Sequence, residues 1–311
     1  MARTEAPIKP PALKSGDTIR FVSPSSSIVR EKTDSMRELL EAEGYKVEFS
    51  AHCFDSDFHL AGTDPDRAKD LMDAFLDPTV NAVFCSRGGY GCARLFPFLD
   101  LDAIVASNKL FLGFSDITTL HIALNNRGLT TVHAPMALTL TNPRESWVYE
   151  SLKAVLKGEN PVHNDAPKGQ TLVGGQAEGS VVGGCLCLIC DSIGTPNPID
   201  IEGRILIIED VDEDPHRIDA MLTHLLNSGI IQKAAGIVFG EMTRTDERNG
   251  EGIGGKPWRE IVKERFGGLG IPIIHDFPFG HNKNMLSLPL GVRAKLDADQ
   301  GSLTYLEGHC A

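Results

Sequence analysis

Between residues 18 and 124 the chain alternates short apolar runs with segments whose apolar residues recur at helical spacing, and this limits its fold more than any other feature. Strands are expected near residues 18–22, 46–49, 81–85 and 110–112, with helices near 32–43, 66–75 and from Asp116 onward. Repetition of this kind builds a doubly wound parallel sheet, with functional groups gathered at the carboxyl ends of its strands. Around "KGENPVHNDAPKGQTLVGG" the pattern gives way to polar residues, proline and glycine, as an interdomain connection would. This divides the chain into an N-terminal α/β domain over residues 1–150, a linker over 151–172 and a C-terminal domain over 173–311. In the C-terminal part, "GRILIIED", "AAGIVFGE", "IPIIHDFPFGH" and "MLSLPLGVRAKLD" are strand-like, and "DPHRIDAMLTHLLNSG" is an amphipathic helix. The charged, Gly-rich stretch "MTRTDERNGEGIGGKP" has the composition of a mobile loop or lid.

A length of 311 residues suits two cores. Thirty Lys and Arg against 42 Asp and Glu give a net charge of −12, which argues against nucleic acid or an anionic membrane as partner and favours a small polar substrate. The opening "MARTEAPIKPPALKSGDTIRFV" lacks the apolar core of a signal peptide, and no run reaches transmembrane length, so a cytoplasmic protein is expected. Seven scattered cysteines suit a reducing compartment. Cys187 and Cys190 have CxxC spacing, but neither a second CxxC nor a paired-His motif accompanies them, so ordinary buried thiols are expected and no metal or cofactor is assigned. The first strand is followed by "SPSSS" instead of GxGxxG, which argues against dinucleotide binding even though Glu48 ends the second strand as a ribose-binding acid does.

In "KLFLGFSDITTL", Ser115 falls where a buried strand meets a helix, with Gly113 allowing close approach. A serine there can project its hydroxyl over the sheet edge while helix N–H groups face what it attacks. Equally, Ser115 or Asp116 can cap the helix, and on the local pattern alone the cap reading stands ahead. A serine nucleophile needs a base, an orienting group and oxyanion donors. "FCSRGGYG" offers a glycine loop, Glu209 ends an apolar strand in "LIIEDVDEDP", and His281 sits in a turn in "FPFGHNKN". Each also has a structural reading: a turn or phosphate cradle, a solvated strand end, and one of ten histidines.

Together, "RGGYGCARL", "GFSDITTLH", "IIEDVDEDPHRID" and "FGHNKNMLSLPLG", in this order and spacing, resemble the LD-carboxypeptidase family, which includes muramoyltetrapeptide carboxypeptidases and microcin C immunity proteins. The resemblance runs from "SGDTIRFVSPSSS" nearly to the end of the chain. It implies a flavodoxin-like N-terminal domain with a doubly wound parallel sheet, a C-terminal β-rich α/β domain, and a homodimer. By the same resemblance Ser115 is the nucleophile, His281 the base, Glu209 its orienting carboxylate, and the N–H groups of Asp116 and Gly88 the oxyanion hole, with Gly89 the alternative to Gly88. Arg87 is the nearest candidate for the substrate carboxylate, a structural ion pair being its other reading, and Gly89 and Tyr90 are further candidate substrate contacts. The implied activity is release of the terminal D-Ala from a muropeptide tetrapeptide, with hydrolysis of aminoacyl- or peptidyl-nucleotide amides as the alternative. Trp258 is the aromatic residue near the 243–256 loop that could serve a nucleobase. The chain departs from the family pattern at Ala134, Cys185, His216 and Ala220, none of them in the implied triad.

Overall fold

The computed structural model describes residues 6–250 and 255–311. The N-terminal half is built from β1 (Thr18–Val22), α1 (Asp34–Ala42), β2 (Lys46–Phe49), α2 (Asp64–Leu76), β3 (Ala82–Cys85), α3 (Leu101–Ser107), β4 (Leu110–Gly113), α4 (Thr118–Asn125), β5 (Thr131–His133) and α5 (Ser146–Leu156). Its five strands are parallel in the order β2-β1-β3-β4-β5, the flavodoxin-like arrangement. β3 and β4 are buried at every position, as strands covered by helices on both faces must be. The helices carry local start and stop signals. Thr63 accepts the Asp66 N–H at 3.3 Å ahead of α2, with Pro65 in its first turn, and Asn108 closes α3 in the left-handed conformation.

The C-terminal half follows with β6 (Gln170–Val173), β7 (Gln176–Cys185), α6 (Leu186–Ser192), β8 (Ile205–Val211), α7 (Pro215–Asn227), β9 (Gly236–Thr243), α8 (Trp258–Phe266) and β10 (Ile273–His275). The last strands are β11 (Leu288–Leu290), β12 (Arg293–Asp297) and β13 (Ser302–Tyr305). Seven strands form a mixed sheet in the order β13-β12-β7-β8-β9-β10-β6, in which β7 to β10 run parallel. β8 lies between β7 and β9, and its first six residues, Ile205 to Asp210, are all buried. Of the loop expected to be mobile, Asp246–Gly250 forms a 3₁₀ turn, and residues 251–254 lie outside the described residues. No described helix is long and apolar enough to cross a membrane.

β11 does not join the C-terminal sheet. It pairs antiparallel with β5, Leu288 opposite His133 and Leu290 opposite Thr131, and so becomes the sixth strand of the N-terminal sheet. The segment between β10 and β11, which contains His281, therefore bridges the two sheets. Further bonds pin it to the N-terminal half: Asn284 Oδ1 accepts the Glu145 N–H at 3.1 Å, and Ser151 Oγ accepts the Ser287 N–H at 2.9 Å. One apolar cluster runs through the seam, joining Leu286, Leu288 and Leu290 to Trp147 and Leu152 of α5 and to Val181, Ile205 and Val238 of the second sheet. Leu288 is fully buried in it, so Leu288→Ala is expected to cost about 2–5 kcal/mol, measured by urea denaturation.

Candidate active site

Ser115 occupies a strained turn. β4 ends at Gly113, Phe114 stays extended, and Ser115 then takes φ 65°, a left-handed value that costs a residue with a β-carbon on the order of 1–3 kcal/mol. Neither Ser115 nor Asp116 caps the following helix with its side chain. Ser115 Oγ instead lies 3.1 Å from His281 Nε2. Asp116 is buried, and its Oδ2 accepts the Ser25 hydroxyl at 2.5 Å and the Cys92 N–H at 2.9 Å. One carboxylate thus ties together the loops that leave β1, β3 and β4 at their carboxyl ends.

The "SPSSS" loop completes this bracing, a role that sequence reasoning did not assign. Ser23 Oγ meets Ser86 Oγ at 2.6 Å, Ser26 Oγ accepts the Tyr90 N–H at 3.4 Å, and the Ser27 carbonyl accepts Arg87 Nη1 at 3.0 Å. The available signal was a run of hydroxyls directly after the first strand, at the switch point of the sheet. Gly88 lies over the serine: a β-carbon added there would stand 2.6 Å from Ser115 Cβ and 3.4 Å from Asp116 N. Gly89 packs against Ser26, and Tyr90 projects outward, 53% exposed, its ring 5.9 Å from that of His59. Arg87 is half-buried and makes no ion pair among the described residues; burial pulls its pKa down.

Glu209 reaches the same point from β8. It is fully buried, and its Oε2 lies 2.6 Å from His281 Nδ1 and accepts the His281 backbone N–H at 3.2 Å. Gly280, at φ 92°, makes this approach possible, because a β-carbon there would sit 2.6 Å from both Glu209 Cγ and Oε2. The other oxygen, Oε1, faces His133 Nε2 at 3.8 Å, too long for a hydrogen bond but close enough for electrostatic attraction. Oε1 and both His133 ring nitrogens are buried without a hydrogen-bond partner. His133 is a second residue that sequence reasoning left unassigned, although it ends β5 beside the end of β4. Phe114 and Phe279 pack around the imidazoles, with ring centroids 4.8 Å apart for Phe114–His281 and 5.6 Å for His133–Phe279.

Burial alone would raise the Glu209 pKa, but facing His281 and His133 brings it down to about 2. For His281, burial favours the neutral ring, while the adjacent Glu209 outweighs it and raises the pKa above the usual value. Asp210, the next residue, is pushed up to about 6 by burial and by the Glu209 charge, although it accepts the Cys187 and Val211 N–H groups. Of the four departures from the family pattern, Ala134 and Cys185 are buried, and His216 and Ala220 are exposed on α7. Beside the site a groove of 880 Å³ runs between the two halves, lined by Tyr90, Phe96, Asp116, Thr119, Arg127 and Leu188, among others; Ser115 and His281 lie outside its lining.

A serine on a sharp strand-to-helix turn, bonded to an imidazole that a buried carboxylate holds, is the arrangement of a serine-type hydrolase. Residues 19–134 match the LD-carboxypeptidase N-terminal domain, and residues 178–296 match the C-terminal domain. A protein of Streptomyces coelicolor is 38% identical over 303 residues, covering 96% of each chain. The murein tetrapeptide carboxypeptidase of Pseudomonas aeruginosa is 30% identical, over 91% of this chain and 94% of that one. The microcin C7 self-immunity protein of Escherichia coli, in its complex with aspartyl sulfamoyl adenosine, superimposes with a TM-score of 0.85 at 25% identity, over 98% of this chain and 100% of that one. The chain belongs to the LD-carboxypeptidase family and is a serine carboxypeptidase.

Three outcomes follow from the geometry and electrostatics. Gly280→Ala is expected to displace Glu209 or the His281 loop and to lower kcat at least about tenfold, with a smaller effect on KM, measured by steady-state kinetics. With His281 as the base of the reaction proposed below, only its neutral form would accept a proton, and kcat/KM is expected to rise with pH through an apparent pKa above the usual 6.5. The same pair sets a stability profile. The His281 contribution is complete below pH 6.5 and fades as pH rises through its raised pKa; the Glu209 contribution is present above pH 4.5 and is lost as pH falls toward 2. Urea denaturation across pH, compared with Glu209→Gln, measures both limbs.

Proposed function

We propose that the chain hydrolyses the L,D-peptide bond to the terminal D-Ala of muropeptide tetrapeptides, with Ser115 as nucleophile, His281 as general base and Glu209 as the orienting carboxylate. The observation that carries this reading is the continuous chain Ser115 Oγ–His281 Nε2 at 3.1 Å and His281 Nδ1–Glu209 Oε2 at 2.6 Å. Ser115 Oγ attacks the scissile carbonyl as its proton passes to His281 Nε2, and Glu209 stabilises the imidazolium formed. The carbonyl oxygen gains negative charge, which the N–H groups of Asp116 and Gly88, flanking the serine, are suited to receive. His281 then returns the proton to the departing D-Ala amine, leaving an acyl-enzyme on Ser115. Water, deprotonated by the same imidazole, releases the shortened peptide and restores the serine.

The substrate assignment rests on the likeness to the Pseudomonas murein tetrapeptide carboxypeptidase. A terminal carboxylate needs a cation at the site, and Arg87, held by the Ser27 carbonyl without a competing carboxylate among the described residues, is suited to it. A second reading, hydrolysis of an aminoacyl-nucleotide amide, draws support from the microcin self-immunity relative. Such a substrate calls for an aromatic surface under its base. Trp258 is fully buried against Phe239 with Arg259 on its face, which leaves the exposed ring of Tyr90 for that role. The deciding experiment incubates the chain with L-Ala-γ-D-Glu-meso-diaminopimelyl-D-Ala and, separately, with aspartyl sulfamoyl adenosine, beside Ser115→Ala. D-Ala release that falls on the order of 10⁴-fold or more in the variant is the expected result. Turnover of the nucleotide alone would move the assignment to the second reading, and full turnover by Ser115→Ala would remove both.

A further inference from the structure

β7 and β8 end side by side in a cluster that the proposed reaction does not use. Cys185 is the last residue of β7, Cys187 lies in the first turn of α6, and Asp210 follows Glu209 on β8. Their two sulfurs and a carboxylate oxygen all lie within 4.8 Å of one another. Cys185 Sγ is 3.5 Å from Cys187 Sγ and 3.4 Å from Asp210 Oδ1. A tetrahedral zinc ion, with Zn–S of about 2.3 Å and Zn–O of about 2.0 Å, sets roughly 3.8 Å between two sulfurs and roughly 3.5 Å between sulfur and oxygen. These two edges of the donor triangle are therefore within a few tenths of an ångström of what such an ion requires.

The surroundings fit a site better than they fit packed thiols. Buried cysteines that serve as small apolar residues face apolar neighbours; Cys187 does pack against the apolar cluster of the C-terminal half, but its sulfur also meets that of Cys185, which in turn faces a buried carboxylate. Asp210 is already oriented, because its oxygens accept the Cys187 N–H and the Val211 N–H, each at 2.8 Å. Cys185 is buried and Cys187 partly exposed, so the cluster has a closed floor and an open side. The CxxC partner, Cys190, is engaged elsewhere, its Sγ 3.6 Å from the Met221 carbonyl. The pairing is thus Cys-x-Cys with an aspartate from the neighbouring strand, and the first cysteine stands where the resembling family often has asparagine.

We infer that Cys185, Cys187 and Asp210 form a binding site for one thiophilic divalent cation of the zinc class, with water as the fourth ligand. On binding, each thiol gives its proton to solvent and its thiolate to the ion, and the Asp210 oxygen freed from the Cys185 S–H becomes the third donor. The ion clamps the end of β7 to β8, the strand that carries Glu209, and takes no part in the hydrolytic chemistry.

Cobalt reports thiolate ligation directly. The full chain, reduced and freed of metal with a chelator, is titrated with Co²⁺ and followed by absorption. The expected result is a thiolate-to-cobalt charge-transfer band that saturates at one equivalent, is abolished by Zn²⁺, and survives Cys190→Ser. In Cys187→Ser the band should be lost and zinc affinity should fall more than about tenfold, by competition with a chromophoric chelator. D-Ala release from the tetrapeptide should persist in that variant, so failure of the hydrolytic reading and failure of the metal reading are separately visible. Absence of the band in the reduced wild type would overturn the inference, as would a band that Cys187→Ser leaves unchanged. The wild-type titration decides the matter even if the variant fails to fold.

Discussion

The contact between Glu209 and His281 is the interaction on which the rest of this structure depends. A carboxylate with no exposed surface costs several kcal/mol in lost hydration unless its charge is met, and removing one member of such a pair typically costs 3–5 kcal/mol. Here one oxygen is met by the His281 ring and backbone N–H, and the other faces His133. Those two histidines come from different halves of the molecule. His133 ends β5 in the first sheet, and His281 lies on the segment that leaves the second sheet to supply β11 to the first. Docking of the two sheets brings His133 to the second oxygen of Glu209, so the packing of the fold completes the surroundings of this carboxylate.

On the N-terminal side the corresponding constraint is the strained turn at Ser115. A left-handed serine persists only where its neighbours over-determine it. Asp116 does this from inside, through Ser25 and Cys92, and Gly88 closes over the serine from the next loop. A further tie comes from the other half, where Thr118 Oγ1, one turn beyond the serine, accepts the Cys185 N–H at 3.1 Å. These contacts within the protein hold the hydroxyl against the imidazole.

Cys185 connects these constraints. Its backbone N–H braces the helix behind Ser115, and its sulfur faces Asp210, the neighbour of Glu209 on β8. The proposed cation would lie beside the seam between the two halves. Ser115, His281 and Glu209 form the proposed hydrolytic chain, and Cys185 sits in the structure that supports it.

The sequence by itself determined the elements and their class. Strand and helix periods are written over five to fifteen neighbouring residues, so β1 to β4, α1, α2 and the turn at Ser115 were legible, and the glycines of "RGGYG" marked where the backbone can come close, whereas the approach of Gly280 to Glu209 was not legible. Four motifs in order singled out Ser115, Glu209 and His281 as candidates. Only the tertiary structure decided what those residues touch. Ser115 and His281 are 166 positions apart, and Glu209 and His281 are 72 apart. No local pattern records a separation of a few ångströms across such distances, because it is set by how two sheets pack. For the same reason the placement of β11 in the first sheet, His133 beside Glu209, Trp258 in the core and the pairing of Cys187 with Cys185 instead of Cys190 were not legible. Each depends on which face of an element meets its neighbour, and packing of the whole chain settles that.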